Sequence, residues 1–177
     1  MKKRIIGGII IILGICLVGI KLYPNSIEQA MQDANIHSKQ ILYEVVTDKG
    51  LVVFYEPENY QNGCDVGLIE KKLFKYKWVF GVGTMDFIND SRELPNMYGN
   101  IGEVGNNKGF PLVYGTILNS DIVEVQVQTC NNEFKNADIV ETNLGKIWYY
   151  FLEEQTTMLP KIIAKGSNEE IIFRRGF

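Results

Sequence analysis

Two hydrophobic patterns divide the chain, a continuous one at the start and alternating ones after it. A basic start is followed by sixteen uncharged residues, 5 to 20, and after one lysine Leu22 and Tyr23 extend the run. A membrane-spanning helix needs roughly 17–25 mostly apolar residues. Because basic flanks stay on the cytoplasmic side, the pattern predicts a signal anchor or transmembrane helix over residues 1–23. Residues 24–177 are then expected to be extracytoplasmic.

The apolar run also leaves two alternatives open. A cleaved export signal ends in a site of small residues, and none stands near Lys21. A lipoprotein needs a small residue before its cysteine, whereas Ile15 precedes Cys16. The pattern therefore favours an anchor that is kept, in which Cys16 acts as a small apolar residue.

A short helix is predicted directly after the anchor. Ser26 is a good N-cap residue, and Gln29 stands at the matching capping-box position. The helix is expected to end near Asn35. Apolar residues recur at helical spacing on one of its faces: Ile27, Ala30, Met31 and Ala34.

Strands follow the helix, and residues 24–83 are predicted to form a helix plus an antiparallel sheet. A short turn ending in glycine joins the first two strands as a hairpin. In the fourth strand, aromatic residues at alternate positions predict one apolar and one largely basic face: Phe74, Tyr76, Trp78 and Phe80. The strands are predicted over 41–47, 51–56, 65–73 and 75–82.

The middle of the chain breaks the alternation. The stretch 83–109 holds five glycines and five asparagines and keeps no sustained period. Because this is longer than an ordinary connection, residues 84–109 are predicted to be a Gly/Asn-rich connecting loop at a boundary between two subdomains.

Short strands return in the last third, over residues 110–177. Valines at 123, 125 and 127 alternate with polar residues, which predicts a strand with one buried face. Short strands separated by turn residues are typical of a β-sandwich, here of the immunoglobulin-like kind. The predicted fold class is therefore α+β and mostly β. The strands are predicted over 112–118, 122–129, 134–141, 146–152, 161–165 and 170–174.

Charge narrows the range of partners. Residues 24–177 carry 14 basic and 21 acidic residues, a net charge of −7. Nucleic-acid binding normally needs a basic face, so a nucleic acid is not an expected partner. The expected partners are the lipid bilayer, through residues 5–23, and an envelope protein or polymer.

Two cysteines lie beyond the anchor, Cys64 and Cys130, both in turn-like sequence. An oxidising exterior permits a disulfide between them, which would stabilise the fold by roughly 4 kcal/mol in the chain-entropy model. The alternative is two free thiols that never come within reach of each other.

Signals for catalysis are poor, and no catalytic residue or cofactor is predicted. The single histidine, His37, follows the predicted helix, and no nucleophile elbow, phosphate loop or metal-protease motif is present. A zinc site would need His37, Cys64 and Cys130 to converge from distant segments.

Acidic residues in the middle loop are the candidate metal ligands, because calcium prefers carboxylates and carbonyls. The alternative is that they are ordinary solvated acids. The candidates are Asp86, Asp90, Glu93 and Glu103.

A basic and aromatic segment, residues 71–78, is the candidate binding surface. Lys75, Lys77 and Trp78 could face an anionic wall polymer or the lipid surface. The structural alternative is a strand pair with aromatic core residues and solvated lysines.

Several segments together resemble small uncharacterised membrane-anchored exported proteins of spore-forming Gram-positive bacteria. After the basic start and the apolar span come ILYEVVTDKGLVVFYEP, KYKWVFGVG, FPLVYGTIL and VEVQVQT. The resemblance implies a cell-surface protein with a helix-plus-sheet front half and a sandwich-like rear half. It supplies no functional residues.

Three functions are compatible with these patterns. The leading hypothesis is a non-catalytic extracytoplasmic module that binds an envelope component or partner protein. The second is a cell-envelope enzyme that uses carboxylates, with calcium as its cofactor. The third is a structural subunit of a membrane assembly.

Overall fold

The computed structural model describes residues 26–60, 63–72, 75–85, 96–101, 110–153 and 160–176. One short helix precedes a series of antiparallel strands. The elements are α1 (Ile27–Asp33), β1 (Ser38–Thr47), β2 (Gly50–Pro57), β3 (Cys64–Lys72), β4 (Lys75–Met85), β5 (Asn96–Ile101), β6 (Phe110–Ile117), β7 (Ile122–Gln128), β8 (Phe134–Asn136), β9 (Asp138–Thr142), β10 (Gly145–Phe151), β11 (Ile162–Gly166) and β12 (Ile171–Arg175).

The strands form three four-stranded sheets. Sheet I is a meander in the order β1-β2-β3-β4, sheet II has the order β5-β6-β10-β9, and sheet III has the order β12-β11-β7-β8. Every recorded strand pairing is antiparallel. The prediction of a mostly-β chain with antiparallel sheets and a short helix is confirmed.

The helix begins and ends as its sequence predicts, to within two residues. The Ser26 hydroxyl accepts a hydrogen bond from the backbone N–H of Gln29, which satisfies one of the unpaired donors at the helix start. At the other end Asn35 takes a left-handed φ of 58°, a conformation that asparagine tolerates. The last helical residue is Asp33, slightly before the predicted end.

Sheets I and II pack face to face around one apolar cluster. Sheet I contributes buried side chains that include Val52 and Phe54, and sheet II contributes Leu112, Tyr114 and Tyr149. Phe54 meets Tyr114 edge-on at a ring distance of 5.9 Å, a favoured aromatic geometry. The cluster joins residues on both sides of the predicted subdomain boundary.

Sheet II is covered on its other face as well. Along β10, Ile147 and Tyr149 point to sheet I, whereas Trp148 belongs to the cluster shared with sheet III. Leu152, the residue after the strand, belongs to that second cluster as well. Because successive side chains of a strand point to opposite faces, a run of apolar residues at 147–152 suits a strand that is buried on both sides.

Two predictions about element boundaries differ from the structure. The segment predicted as a connecting loop contains β5, which pairs with the next strand, β6, because the pairing with a partner strand overrides a weak local pattern. The single strand predicted over 134–141 is two strands in different sheets, separated at Ala137. The N–H of Ala137 donates to the carbonyl oxygen of Val125 at 2.8 Å. The backbone of Ala137 therefore stays hydrogen-bonded where the chain passes from sheet III to sheet II.

Register shifts overturn two predicted faces. In β4, a shift between Leu68 and Ile69 of the partner strand puts Trp78 in the cluster below the helix and Phe80 in the cluster facing sheet II. The aromatic residues of β4 therefore do not share one face. In β7, a similar shift beside Gly166 leaves Val123 51% exposed, although its sequence pattern predicts burial.

The predicted anchor, residues 1–23, lies outside the described residues. Among the residues that the structure describes, none belongs to a helix with the length and apolarity needed to cross a membrane.

Candidate functional site

Two clefts lie beside helix α1 where it covers sheet I. Helix α1 has 7 residues and is therefore about 10 Å long, whereas β4 has 11 residues and extends about 35 Å. A helix of this length covers only part of the sheet. The space beside it is the "helix cleft" of about 430 Å³, and the space beyond its end is the "tyrosine cleft" of about 210 Å³.

The wall between the clefts is built by the turn that ends the helix. Asn35 donates its N–H to Gln32, and Ile36 donates to Met31 at 2.8 Å, the hydrogen-bond pattern of a Schellman motif. Ile36 also packs against the apolar cluster that contains Met31. The carbonyl of His37 then accepts from the N–H of Glu58 at 3.0 Å. Ile36, His37 and Glu58 consequently line both clefts.

Two residues that line the helix cleft, Lys39 and Gln40, are bound to a buried carboxylate. Glu56 is 6% exposed and accepts from the Lys39 ammonium at 3.1 Å and from the Gln40 amide at 2.8 Å. Lys39 also donates to the backbone oxygen of Tyr60 at 3.1 Å. Because buried charges need such partners, this network fixes β1 against the loop after β2. The positive charge of Lys39 is engaged in it.

The tyrosine cleft contains a second buried carboxylate. Asp65 is 7% exposed and Tyr55 is 4% exposed, and the two residues face each other across β2 and β3. The Asp65 carboxylate lies close enough to the Tyr55 hydroxyl to influence its pKa. Burial, followed by the negative charge of Asp65, raises the pKa of Tyr55 well above its usual range. The tyrosine therefore stays a neutral donor at physiological pH.

The two clefts together favour a ligand with positive hydrogen-bond donors. Glu28 and Glu58 line the helix cleft, and Glu58 and Asp65 line the tyrosine cleft. The exposed ring of Tyr60 stands at the rim of the tyrosine cleft. Carboxylates beside an aromatic face suit an ammonium or guanidinium group.

The structure gives no support for a metal centre in the part of the chain that it describes. No group of three or more His, Cys, Asp or Glu side chains there is arranged to hold an ion. The calcium ligands predicted at Asp86, Asp90, Glu93 and Glu103 lie outside the described residues.

The predicted cysteine pair is not brought together. Cys64 is buried between sheets I and II, whereas Cys130 is exposed on the turn after β7, and both are free thiols. Of the two alternatives that the sequence left open, the structure has the free thiols, because Cys64 lies in the core and Cys130 lies on an exposed turn. His37, Cys64 and Cys130, all of which the structure describes, do not form a group that could hold a metal ion. Burial, followed by the charge of Asp65, raises the pKa of Cys64 to about 12.

The predicted binding surface is divided between two faces of β4. Lys75 and Lys77 are exposed, whereas Trp78 packs in the cluster below the helix. Its indole stands edge-on to Tyr55 at a ring distance of 5.9 Å. Strand alternation separates the lysines from the indole, so any contact made by this segment belongs to the lysines.

A pair of glycines makes room for the Trp78 ring. Gly67 and Gly81 are directly opposed in β3 and β4. A Cβ on Gly67 would overlap the indole of Trp78, and one on Gly81 would stand 2.6 Å from it. The absence of side chains at both positions lets the ring lie flat against the sheet.

Sequence reasoning did not find the clefts, although one signal for them exists. The polar turn after β2, from Pro57 to Tyr60, contributes Glu58 and Tyr60. Tyr55 and Asp65 looked like ordinary strand residues. Their pairing depends on the register of β2 with β3, which no local pattern specifies.

Comparison of the chain with known protein families, curated proteins and solved structures found no match.

Proposed function

We propose that the protein is a membrane-anchored extracytoplasmic binding module without catalytic activity. Its ligand, an envelope component or a partner protein, presents an ammonium or guanidinium group to the helix cleft and the tyrosine cleft. The observation that carries this proposal is the pair of adjoining clefts with a common wall of Ile36, His37 and Glu58.

The location of charge supports a binding role. Lys39 is already bound to Glu56 and to the Tyr60 carbonyl, so its positive charge is offset by a carboxylate that lines neither cleft. Glu28 and Glu58 are exposed at the clefts. A cationic group that enters the clefts gains charge-assisted hydrogen bonds at little cost in rearrangement, because the buried network is preformed.

The sandwich-like assignment of residues 110–177 belongs to the same proposal. Sheets II and III enclose one apolar cluster with Trp148 at its centre, which supports two packed layers. Two strand pairings, β6 with β10 and β7 with β11, can be compared with the immunoglobulin strand order to decide whether the sandwich is of that kind.

Site-specific photocrosslinking in intact cells tests the binding role. Tyr60, which is 45% exposed at the cleft rim, is replaced by p-benzoylphenylalanine in the full chain. Val46, which is 85% exposed and lines neither cleft, receives the same replacement as a matched control. Irradiation is expected to give a defined adduct at position 60 only, and mass spectrometry identifies its chemical class.

A charge reversal at the common wall provides the second control. Glu58→Lys adds a positive charge where the ligand's cation is proposed to bind, so the adduct at position 60 should fall severalfold. An adduct of equal yield at positions 46 and 60, or one that Glu58→Lys leaves unchanged, would exclude the clefts as the binding site.

A further inference from the structure

A small cavity lies between sheets I and II. Its volume is about 10 Å³, which is at the lower limit of the roughly 10–15 Å³ that one water molecule needs. The cavity is therefore too small for an organic ligand. Two buried residues with polar side-chain atoms, Cys64 and Thr116, line it from opposite sheets. The apolar part of its wall is formed by Leu42, Ile117, Leu118, Leu144 and Ile147.

The hydroxyl group of Thr116 is the most informative atom of this cavity. Thr116 lies on β6 and is 3% exposed. Among the residues that the structure describes, its Oγ1 atom has no hydrogen-bond partner. A buried hydroxyl without a partner is costly, and such groups in folded proteins are nearly always satisfied by protein atoms or by ordered water. A small hydrogen-bonding molecule is therefore expected beside Thr116.

Strand alternation directs this hydroxyl towards sheet I. Leu112 and Tyr114, the alternate residues of β6, belong to the cluster that sheets I and II share. Since side chains two residues apart lie on the same face of a strand, Thr116 faces sheet I as well. The hydroxyl consequently lies at an interface that is otherwise apolar.

Cys64 supplies the second polar group from sheet I. Its side chain is fully buried, and its thiol donates a long hydrogen bond to the carbonyl oxygen of Asp65 at 3.9 Å. Burial raises the pKa of Cys64 to about 12, so the group stays an uncharged thiol at physiological pH. A neutral thiol is a weak donor and a weak acceptor, which suits a neutral ligand.

The rest of the lining favours water over an ion. In the described part of the chain, no group of three or more His, Cys, Asp or Glu side chains is arranged to hold a metal. Thr142, Gly145 and Lys146 also line the cavity and are partly or fully exposed, which gives water a path from the solvent. A cavity of this size with two polar partners meets the minimum for one buried water.

We infer that the cavity binds one ordered water molecule, which bridges the Thr116 hydroxyl of sheet II and the Cys64 thiol of sheet I. The inference is independent of the ligand proposed for the helix cleft and the tyrosine cleft. The water would satisfy the Thr116 hydroxyl and add a hydrogen-bonded link between two sheets that otherwise meet through apolar contacts.

Oxygen-17 magnetic relaxation dispersion of the full chain in detergent micelles tests this inference, because its amplitude counts long-lived internal waters. Thr116→Val keeps nearly the same shape without the hydroxyl, so the amplitude is expected to fall by the contribution of one water. Thr116→Ser keeps the hydroxyl and should keep the amplitude. An amplitude that Thr116→Val leaves unchanged would overturn the inference.

Thermal denaturation provides a second readout, whose sign decides. If water satisfies the hydroxyl, Thr116→Val removes a hydrogen bond and should lower the melting temperature by about 2–4 °C for a chain of this size. If the hydroxyl is dry and has no partner, the same change removes an unsatisfied polar group and should raise the melting temperature. A rise would therefore contradict the water site.

A crystal structure of the unchanged chain tests the bridge without any variant. Electron density for one water is expected within hydrogen-bond distance of both Thr116 Oγ1 and Cys64 Sγ. A cavity without such density, or a water that reaches only one of the two atoms, would overturn the bridge.

Discussion

Sheet I and sheet II differ in how their faces are covered. Sheet II lies between two other sheets, and its strand β10 alternates between two apolar clusters. Sheet I has one face against sheet II and the other against a helix of 7 residues. The sheet with two sheet neighbours has an apolar interior, whereas the sheet with one short helix has clefts at the margins of that helix.

The comparison indicates where this fold has room for function. Where sheets I and II cover each other, the cavity lined by Cys64, Thr116 and Ile147 holds only about 10 Å³. A short helix covers only part of a sheet face. Polar residues such as His37 and Glu58 lie where the cover by the helix ends. Binding is therefore expected at the helix side of sheet I rather than around sheets II and III.

The largest expected difference comes from the two tryptophans. Trp148→Ala empties a fully buried position between sheets II and III and should lower the free energy of unfolding by about 3–5 kcal/mol. Trp78→Ala removes a half-buried ring on the face that only the helix covers, and should lower the free energy of unfolding by about half as much. Chemical denaturation of both variants measures the two values. Equal losses would contradict the unequal cover of the two sheets.

A methyl group on the helix side of sheet I should have the next largest effect. Gly67→Ala forces its Cβ into the Trp78 ring, and such overpacking costs about 1–3 kcal/mol. The double variant Gly67→Ala with Trp78→Leu should be less destabilised than the sum of its single changes. Strict additivity in a double-mutant cycle would show that the indole does not occupy this place.

Alkaline pH is expected to weaken the contact between sheets I and II. Cys64 has a pKa raised by burial from 9 to about 12. The folded chain thus keeps a proton that the unfolded chain loses. Its stability is complete below about pH 9 and is lost as pH rises towards 12, by at most about 1.4 kcal/mol per pH unit. Burial raises the pKa of Tyr114 and Tyr149 in the same cluster, with the same sign of effect.

Replacement of the cysteine by an apolar residue isolates the thiol. In Cys64→Val, the fall in stability between pH 9 and 11 should be shallower than in the unchanged chain, as measured by denaturation at fixed temperature. Cys130→Val, at an exposed thiol, should leave the pH profile as it was. Identical profiles for all three chains would mean that the buried thiol does not titrate with unfolding.

The helix cap should give the smallest effect. Ser26→Ala removes the acceptor of the Gln29 N–H and should cost about 1 kcal/mol. Ser26→Asp keeps an acceptor and should restore most of that loss. Because the helix covers only sheet I, hydrogen exchange should quicken in α1 and leave β10 unchanged. Equal acceleration in both elements would indicate that the helix supports the whole fold.

Sequence patterns predict the repetitive parts of this fold well, because local chemistry determines them. The capping serine at 26 and the glycine turn at 50 place the helix and the first hairpin to within a few residues. The bulges that expose Val123 and separate Trp78 from Phe80 depend on the partner strand. Alternation within a single strand carries no information about such shifts.

The candidate site was less predictable than the fold for the same reason. The lysines at 75 and 77 are visible in the sequence because they stand in a run. The clefts are formed by Asp65, Glu58 and His37, which come from three separate segments. Their meeting depends on the hairpin register and on the length of the helix, which are properties of the assembled fold.

The order of strands in the sheets has a consequence for how the chain reaches this state. Sheet I joins consecutive hairpins, so its contacts are local and it can form early. Sheets II and III pair strands that are distant in sequence, β6 with β10 and β7 with β11. The chain also passes from sheet III to sheet II at Ala137. Neither sheet can therefore be completed without the other. A chain that emerges from its N-terminus would therefore hold sheet I with Val52 and Phe54 still facing water until the later strands arrive. In that interval the nascent protein is most open to aggregation and to capture by a chaperone.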